Sequence, residues 1–197
     1  MSDPPRFPPI LPSALTTTQK AAASEAEALV RKTFGSSFKL HSPNDALLGP
    51  FGILMYTPNA FVPYVQHLYA VLSTPLFSPR ERELATLAVC AVTRAQYVDY
   101  AHKRIAISVG LTPEQVDAAA TGKAEGLELE RERVVYELSL EMARSFGRVE
   151  DGRWEVGERI LGRESMAALV QIVAAYMYTS LLVNLAEVEV PADGAAE

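Results

Sequence analysis

Cysteine occurs once in this 197-residue sequence, at Cys90, so no intramolecular disulfide can form and a C-x-x-C redox centre is impossible. Histidine is almost as scarce. His41, His67 and His102 follow neither H-x-x-x-H nor H-E-x-x-H spacing, so no metal site is expected. A glycine-rich phosphate loop and a G-x-S-x-G elbow are both missing, and the sequence calls for no cofactor. Positive charge is thin: 18 Lys and Arg against 24 Asp and Glu give a net charge of −6. With no basic cluster longer than a pair such as Lys103-Arg104, nucleic acid is excluded as a partner, because displacing counterions needs concentrated cations. The proline-rich start lacks the continuous apolar core of a secretory signal, and a cytoplasmic location is expected.

Charge is also missing from one long run. Residues 165–186 contain no charged residue, and the run matches the length of a membrane span. The run nevertheless carries Gln171, Tyr176, Tyr178, Thr179, Ser180 and Asn184, and only Arg163 lies close by as a basic flank. A buried helix of a soluble protein, with no membrane partner, fits that polar content better.

What is present is helical periodicity. Hydrophobic residues make up 49% of the chain and charged residues 21%, ordinary values for a globular protein large enough to bury a core. Residues 1–18 read as an irregular arm, since five prolines fall in the first sixteen positions. Residues 19–190 read as a single helical domain, and 191–197 as an acidic tail. Within the domain, 19–34 is rich in helix formers and Gly35 stops it, while 41–56 holds Pro43, Gly49, Pro50 and Gly52 and reads mostly as loop. A helix follows over about 59–73. Ser78-Pro79-Arg80-Glu81 and Thr112-Pro113-Glu114-Gln115 are two clear helix starts, each with a capping hydroxyl, a proline and a glutamate or glutamine. Between them 93–109 reads as a helix of its own. Val134, Leu138 and Met142 recur every fourth residue in a helix over 129–146. A short helix over 154–161 closes at Gly162, and a long one spans about 164–187. No convincing alternating strand occurs. The fold class is all-α, with seven or eight helices.

The informative stretch is Glu83-Leu-Ala-Thr-Leu-Ala-Val-Cys-Ala-Val-Thr-Arg-Ala95-Gln-Tyr97-Val98-Asp99-Tyr-Ala-His102. It resembles the signature of the carboxymuconolactone decarboxylase and alkylhydroperoxidase-like (AhpD-like) superfamily. In redox-active members a glutamate stands twelve residues before a C-x-x-C-x-x-x-H motif. Carried onto this chain, the glutamate falls on Glu83 and the histidine on His102, but the two cysteines fall on Ala95 and Val98. The continuation through Ala106, Gly110 and the Thr112 cap is also similar, and the resemblance spans roughly 48–191. It implies an AhpD-like helical bundle and assembly as a homo-oligomer. The departure matters equally: alanine and valine cannot supply a thiolate, so dithiol peroxidase chemistry is excluded for the chain acting alone.

What remains is an acid–base pair. Glu83 and His102 are the candidate catalytic residues, one as base and the other as acid or orienting partner, with the assignment open. On an ideal helix Ala95, Val98, Asp99 and His102 share one face. Ala95 and Val98 would then line a pocket with hydrocarbon and favour an apolar or aromatic small-molecule substrate. Asp99 could orient His102 or simply pair with Lys103. Tyr176, Ser180 and Asn184 share another face and either bond neighbouring helices or meet the substrate. Tyr97, opposite Ala95 on an ideal helix, is assigned to packing, and Arg80, Glu81 and Arg82 to a solvated turn. The expected function is a cofactor-independent decarboxylase, lyase, isomerase or cyclisation catalyst of a natural-product or aromatic pathway. The alternative is a binding or scaffold member without chemistry.

Overall fold

Capping chemistry sets most of the helix starts. Thr16, Ser78 and Thr112 each accept a hydrogen bond from the backbone N–H three residues on, and the side chains of Gln19, Glu81 and Gln115 accept one in turn from the cap residue's own N–H. The computed structural model describes residues 5–191. The first four residues of the proline-rich arm, and the acidic tail beyond residue 191, lie outside that range. The eight helices are α1 (Thr17–Phe34), α2 (Gly49–Leu54), α3 (Pro58–Leu72), α4 (Pro79–Thr93), α5 (Gln96–Ser108), α6 (Pro113–Ala120), α7 (Glu130–Ser145) and α8 (Asp151–Ala186), preceded by a 3-10 turn at Pro12–Ala14. No strand occurs among the described residues; His41 and Leu47 form one isolated bridge.

Helix α4 is the axis of the bundle. From Leu84 to Val89 every residue is fully buried, because α4 packs against α5, α6, α7 and α8 at once. Leu84, Leu87 and Ala88 face a small core with Ala106, Val116 and Tyr136, whereas Ala85 and Val89 face the main core shared with α1, α3 and α8. The 3.6-residue period thus divides one helix between two cores.

Three expectations need correction, and one break falls where it was expected. The loop read over 41–56 contains α2: Leu48 is its N-cap and Pro50 sits in its first turn, where a missing N–H costs nothing. The 129–146 helix stops at Phe146, which itself adopts the left-handed conformation (φ 57°) before Gly147. The short helix, which starts at Asp151, and the long one are separated as expected by the non-helical backbone of Gly162 (φ 78°, ψ 159°), and α8 denotes the two together. The Arg80-Glu81-Arg82 run is no solvated turn. Glu81 accepts from Ser78 N at 2.7 Å and from Arg131 Nε at 2.8 Å; Arg80 holds both oxygens of Glu132 at 2.7 and 3.0 Å and donates to the Gly110 carbonyl. Arg82 donates to the Phe77 carbonyl at 3.0 Å. The run fastens the start of α4 to α7.

Helix α8 is the one described helix long and apolar enough to cross a bilayer, and half of that apolar stretch is buried against the rest of the chain. Its outer side is not: Tyr178, Leu181 and Leu185 are 43, 68 and 61% exposed.

Candidate active site

Two consecutive helices bring the acid and the imidazole together. The α4 chain ends at Arg94, whose left-handed backbone (φ 53°) turns it back so that α5 runs alongside. Glu83, one turn into α4, then lies beside His102, two turns into α5. Glu83 Oε2 and His102 Nδ1 are 2.7 Å apart, and the two residues are 6 and 5% exposed. A carboxylate can only accept, so in the neutral imidazole it holds the proton on Nδ1 and leaves the lone pair on Nε2. Among the described residues nothing hydrogen-bonds Nε2, and His102 lines a narrow cleft. This is the arrangement that makes a buried imidazole a proton acceptor.

The cleft is walled by six rings: Phe34, Phe38, Phe51, Tyr64, Tyr97 and Tyr176. Tyr176 and Phe34 stand edge-on to the imidazole, with centroids at 4.7 and 6.1 Å, and fix its plane. Thr179 spends its proton on the Ala175 carbonyl at 2.8 Å, so Tyr64 is the donor in the 2.6 Å bond between their hydroxyls. Tyr97 donates to the Lys39 carbonyl at 3.3 Å. Tyr176 is different. Thr86 lies near enough to lower its pKa, yet the Thr86 hydroxyl is turned to the Arg82 carbonyl at 3.0 Å. The Tyr176 hydroxyl is the one buried side-chain polar atom among the described residues without a hydrogen-bond partner.

Burial pushes the pKa values of Tyr64, Tyr97 and Tyr176 upward, and for Tyr176 the Glu83 charge adds to the effect. These phenols therefore stay protonated and can donate but not act as bases. Cys90 is buried in α4, and its thiol is likewise pushed up by burial first and then by Asp99 and Glu83, which removes its nucleophilic form. No group of three or more His, Cys, Asp or Glu among the described residues is placed to hold a metal.

Of the residues singled out in the sequence, Glu83, His102, Val98 and Tyr176 gather at the cleft or directly behind it. Four do not. Ala95 is the N-cap of α5, fully buried and away from the cleft lining. Asp99 turns to Lys103, 3.2 Å away. Ser180 accepts from the Thr93 hydroxyl at 3.1 Å, and Asn184 donates to the Thr93 carbonyl at 2.9 Å, so both tie α8 to the end of α4. Tyr97, assigned to packing, is buried in the main core and also lines the cleft. Ala101 also lines it and was findable: 97, 98, 101 and 102 form one i, i+3, i+4 face.

Residues 58–139 match the model of the carboxymuconolactone decarboxylase family. The bundle as a whole is AhpD-like. It superposes on an alkylhydroperoxidase AhpD core protein, an uncharacterized peroxidase-related protein from Ralstonia eutropha JMP134, with a TM-score of 0.74 at 18% identity over 96% of this chain and 93% of that one. It also superposes on the debrominase Bmp8, with a TM-score of 0.70 at 14% identity over 88% of this chain and 89% of that one. A cysteine-to-alanine variant of Bmp8 in complex with 2,3,4-tribromopyrrole gives the same TM-score and identity, with 90% of each chain covered. At these identities the likeness is one of fold. No curated protein matches the chain in sequence.

Proposed function

We propose that the protein is a cofactor-independent acid–base enzyme, a decarboxylase, lyase, isomerase or cyclisation catalyst, acting on a small, largely apolar ring compound. The carrying observation is the 2.7 Å contact between buried Glu83 and His102 Nδ1, with Nε2 left to an aromatic cleft. His102 is the base and Glu83 its orienting partner. Nε2 takes a proton from an acidic position of the substrate, and the Glu83 carboxylate stabilises the imidazolium that forms. Returning that proton to another atom completes an isomerisation; delivering it to the carbanion left by loss of carbon dioxide completes a decarboxylation. With Cys90 buried as a thiol, and alanine and valine where redox members of the superfamily carry cysteines, thiol peroxidase activity is not part of this reading. The bromopyrrole-bound Bmp8 complex supports a small aromatic ring as the kind of ligand this fold accommodates.

The test is deuterium wash-in from D2O into cyclic 1,3-diketones and γ-lactones, with and without a carboxylate, followed by NMR. Exchange should fall at least about a hundredfold in both Glu83→Gln and His102→Gln while the helical CD signal is kept. Equal exchange by wild type and variants sinks the catalytic reading. One observation favours the alternative of a binding or scaffold member: the water-accessible volume of the cleft is only about 30 Å³, room for a water but not for a substrate. Catalysis therefore requires the cleft to open.

The reading includes a homo-oligomer formed through α8. Ala174, Tyr178, Leu181 and Leu185 are exposed at the 4-3-4 spacing of a helix-pairing seam, on a stretch without charge. A sedimentation-equilibrium mass of a single chain at micromolar concentration would overturn it.

A further inference from the structure

We propose that the cleft takes a flat, uncharged ring bearing one weakly acidic O–H or N–H, a phenol- or pyrrole-class compound, with that hydrogen presented to His102 Nε2. The inference rests on the acid–base reading of His102 and narrows its substrate.

Charge is the first argument. No Lys or Arg lines the cleft, and the nearest fixed charge behind His102 is the Glu83 carboxylate. A ligand carboxylate or phosphate would lose its hydration with no cation to replace it and would face a like charge. Anions are excluded on both counts.

Polarity is the second. The Tyr64 hydroxyl is spent on Thr179, the Tyr97 hydroxyl on Lys39 and the Thr179 hydroxyl on Ala175. That leaves two unmatched polar atoms on residues lining the cleft: Nε2, which accepts, and the orphaned Tyr176 hydroxyl. Of these the Tyr176 hydroxyl is fully enclosed, so a ligand with a single donor complements the one open atom, Nε2. A polyol or a sugar would bring more hydroxyls than the walls can satisfy.

Shape is the third. Phe38 and Phe51 lie nearly parallel, with an interplanar angle of 8° and centroids 6.3 Å apart. A flat ring between two such faces needs two carbon–carbon contact distances, about 7 Å. The wall that can yield is the one carrying Phe38, which belongs to the irregular segment between α1 and α2 rather than to a helix. The link from that segment to Tyr97 is a long bond, 3.3 Å at the Lys39 carbonyl. A bulky, non-planar ligand would demand much more.

The experiment is an NMR titration of the full-length protein, with its histidine rings 15N-labelled, using phenol, benzoate and toluene as probes. Phenol is expected to bind at least tenfold more tightly than benzoate and to move the His102 Nε2 resonance; toluene should bind more weakly than phenol and leave that resonance in place. Benzoate binding as tightly as phenol, or phenol leaving His102 unmoved, overturns the proposal. The two readings fail separately. If phenol behaves as expected but no deuterium exchange is found in any ring compound, the ligand class stands and the enzyme reading falls. If exchange is confined to carboxylate-bearing rings, the enzyme reading stands and the ligand class falls.

Discussion

Helix α4 carries buried glutamates at two neighbouring positions, and they do different things. Glu81 has both oxygens occupied, one by the Ser78 N–H of the helix cap and one by Arg131. Across the same junction Glu132 is gripped by both ends of the Arg80 guanidinium, and the Glu132 charge in turn raises the pKa of Arg80. Every strong donor there meets an acceptor, so nothing is left over for chemistry. Two residues along, Glu83 meets an imidazole whose far nitrogen has no protein partner and borders a cleft. Ion pairs that are complete hold a fold together; a pair with one valence open can act on something else.

The sharpest way to break this contrast is to neutralise one acid of each kind. Glu132→Ala strands Arg80 at a junction where water reaches it only in part, and should destabilise the fold by about 2 kcal/mol, read as a lower urea midpoint. The deuterium-exchange activity of the folded molecules should stay within twofold of wild type. Glu83→Gln should behave oppositely, since its amide oxygen still accepts from Nδ1–H: stability within about 1 kcal/mol, with activity gone. If both variants lost stability and activity in parallel, the division between completed ion pairs and the open one would be an illusion.

A smaller effect is expected where the cleft wall meets α2. Gly49 has φ 62°, and a β-carbon added there would sit 2.2 Å from Tyr97 Cε1. Gly49→Ala therefore combines left-handed strain with a displaced ring, together about 2 kcal/mol or less. Tyr97→Phe keeps the ring and loses only a long hydrogen bond to Lys39, and should cost under about 1 kcal/mol. A urea midpoint that fell as far for Tyr97→Phe as for Gly49→Ala would mean that the hydroxyl, not the fit of ring on glycine, secures this wall.

Legibility in the sequence follows the range of the interaction. Helix starts at Ser78 and Thr112 were readable because capping is a four-residue event, and the break at Gly162 because one residue carries it. Glu83 and His102 were readable only through family likeness; nineteen residues of separation specify no contact by themselves. Helix α2 was missed because Gly49, Pro50 and Gly52 are loop-forming by composition, while here the proline sits in the first turn and the glycines meet close neighbours. The rings of Phe34, Phe51, Tyr64 and Tyr176 come from four helices, and no spacing links them. The error at Ala95 was geometric. A helical wheel drawn from 95 to 102 assumes one helix, whereas Arg94 in the left-handed region resets the phase and Ala95 lies before the first turn.

That reset gives the smallest prediction. Asp99 lies between the two kinds of acid: it is in the first turn of α5, three residues before His102, yet its carboxylate points to Lys103 at 3.2 Å with about a third of the side chain exposed. Lys103 has a second acid, Asp117, at 3.6 Å, so losing Asp99 does not leave it unpaired. Asp99→Asn should therefore change stability by no more than about 0.5 kcal/mol, the worth of an exposed i, i+4 pair. The exchange rate should stay within twofold. One side effect has a definite sign: the Asp99 charge helps push the Cys90 thiol upward, so its removal lets that thiol titrate slightly lower, against the larger and unchanged effect of burial. Labelling of Cys90 by a thiol reagent should remain slow. A tenfold loss of exchange in Asp99→Asn would show that this carboxylate governs His102 after all, and would extend the open-valence site from a pair to three groups.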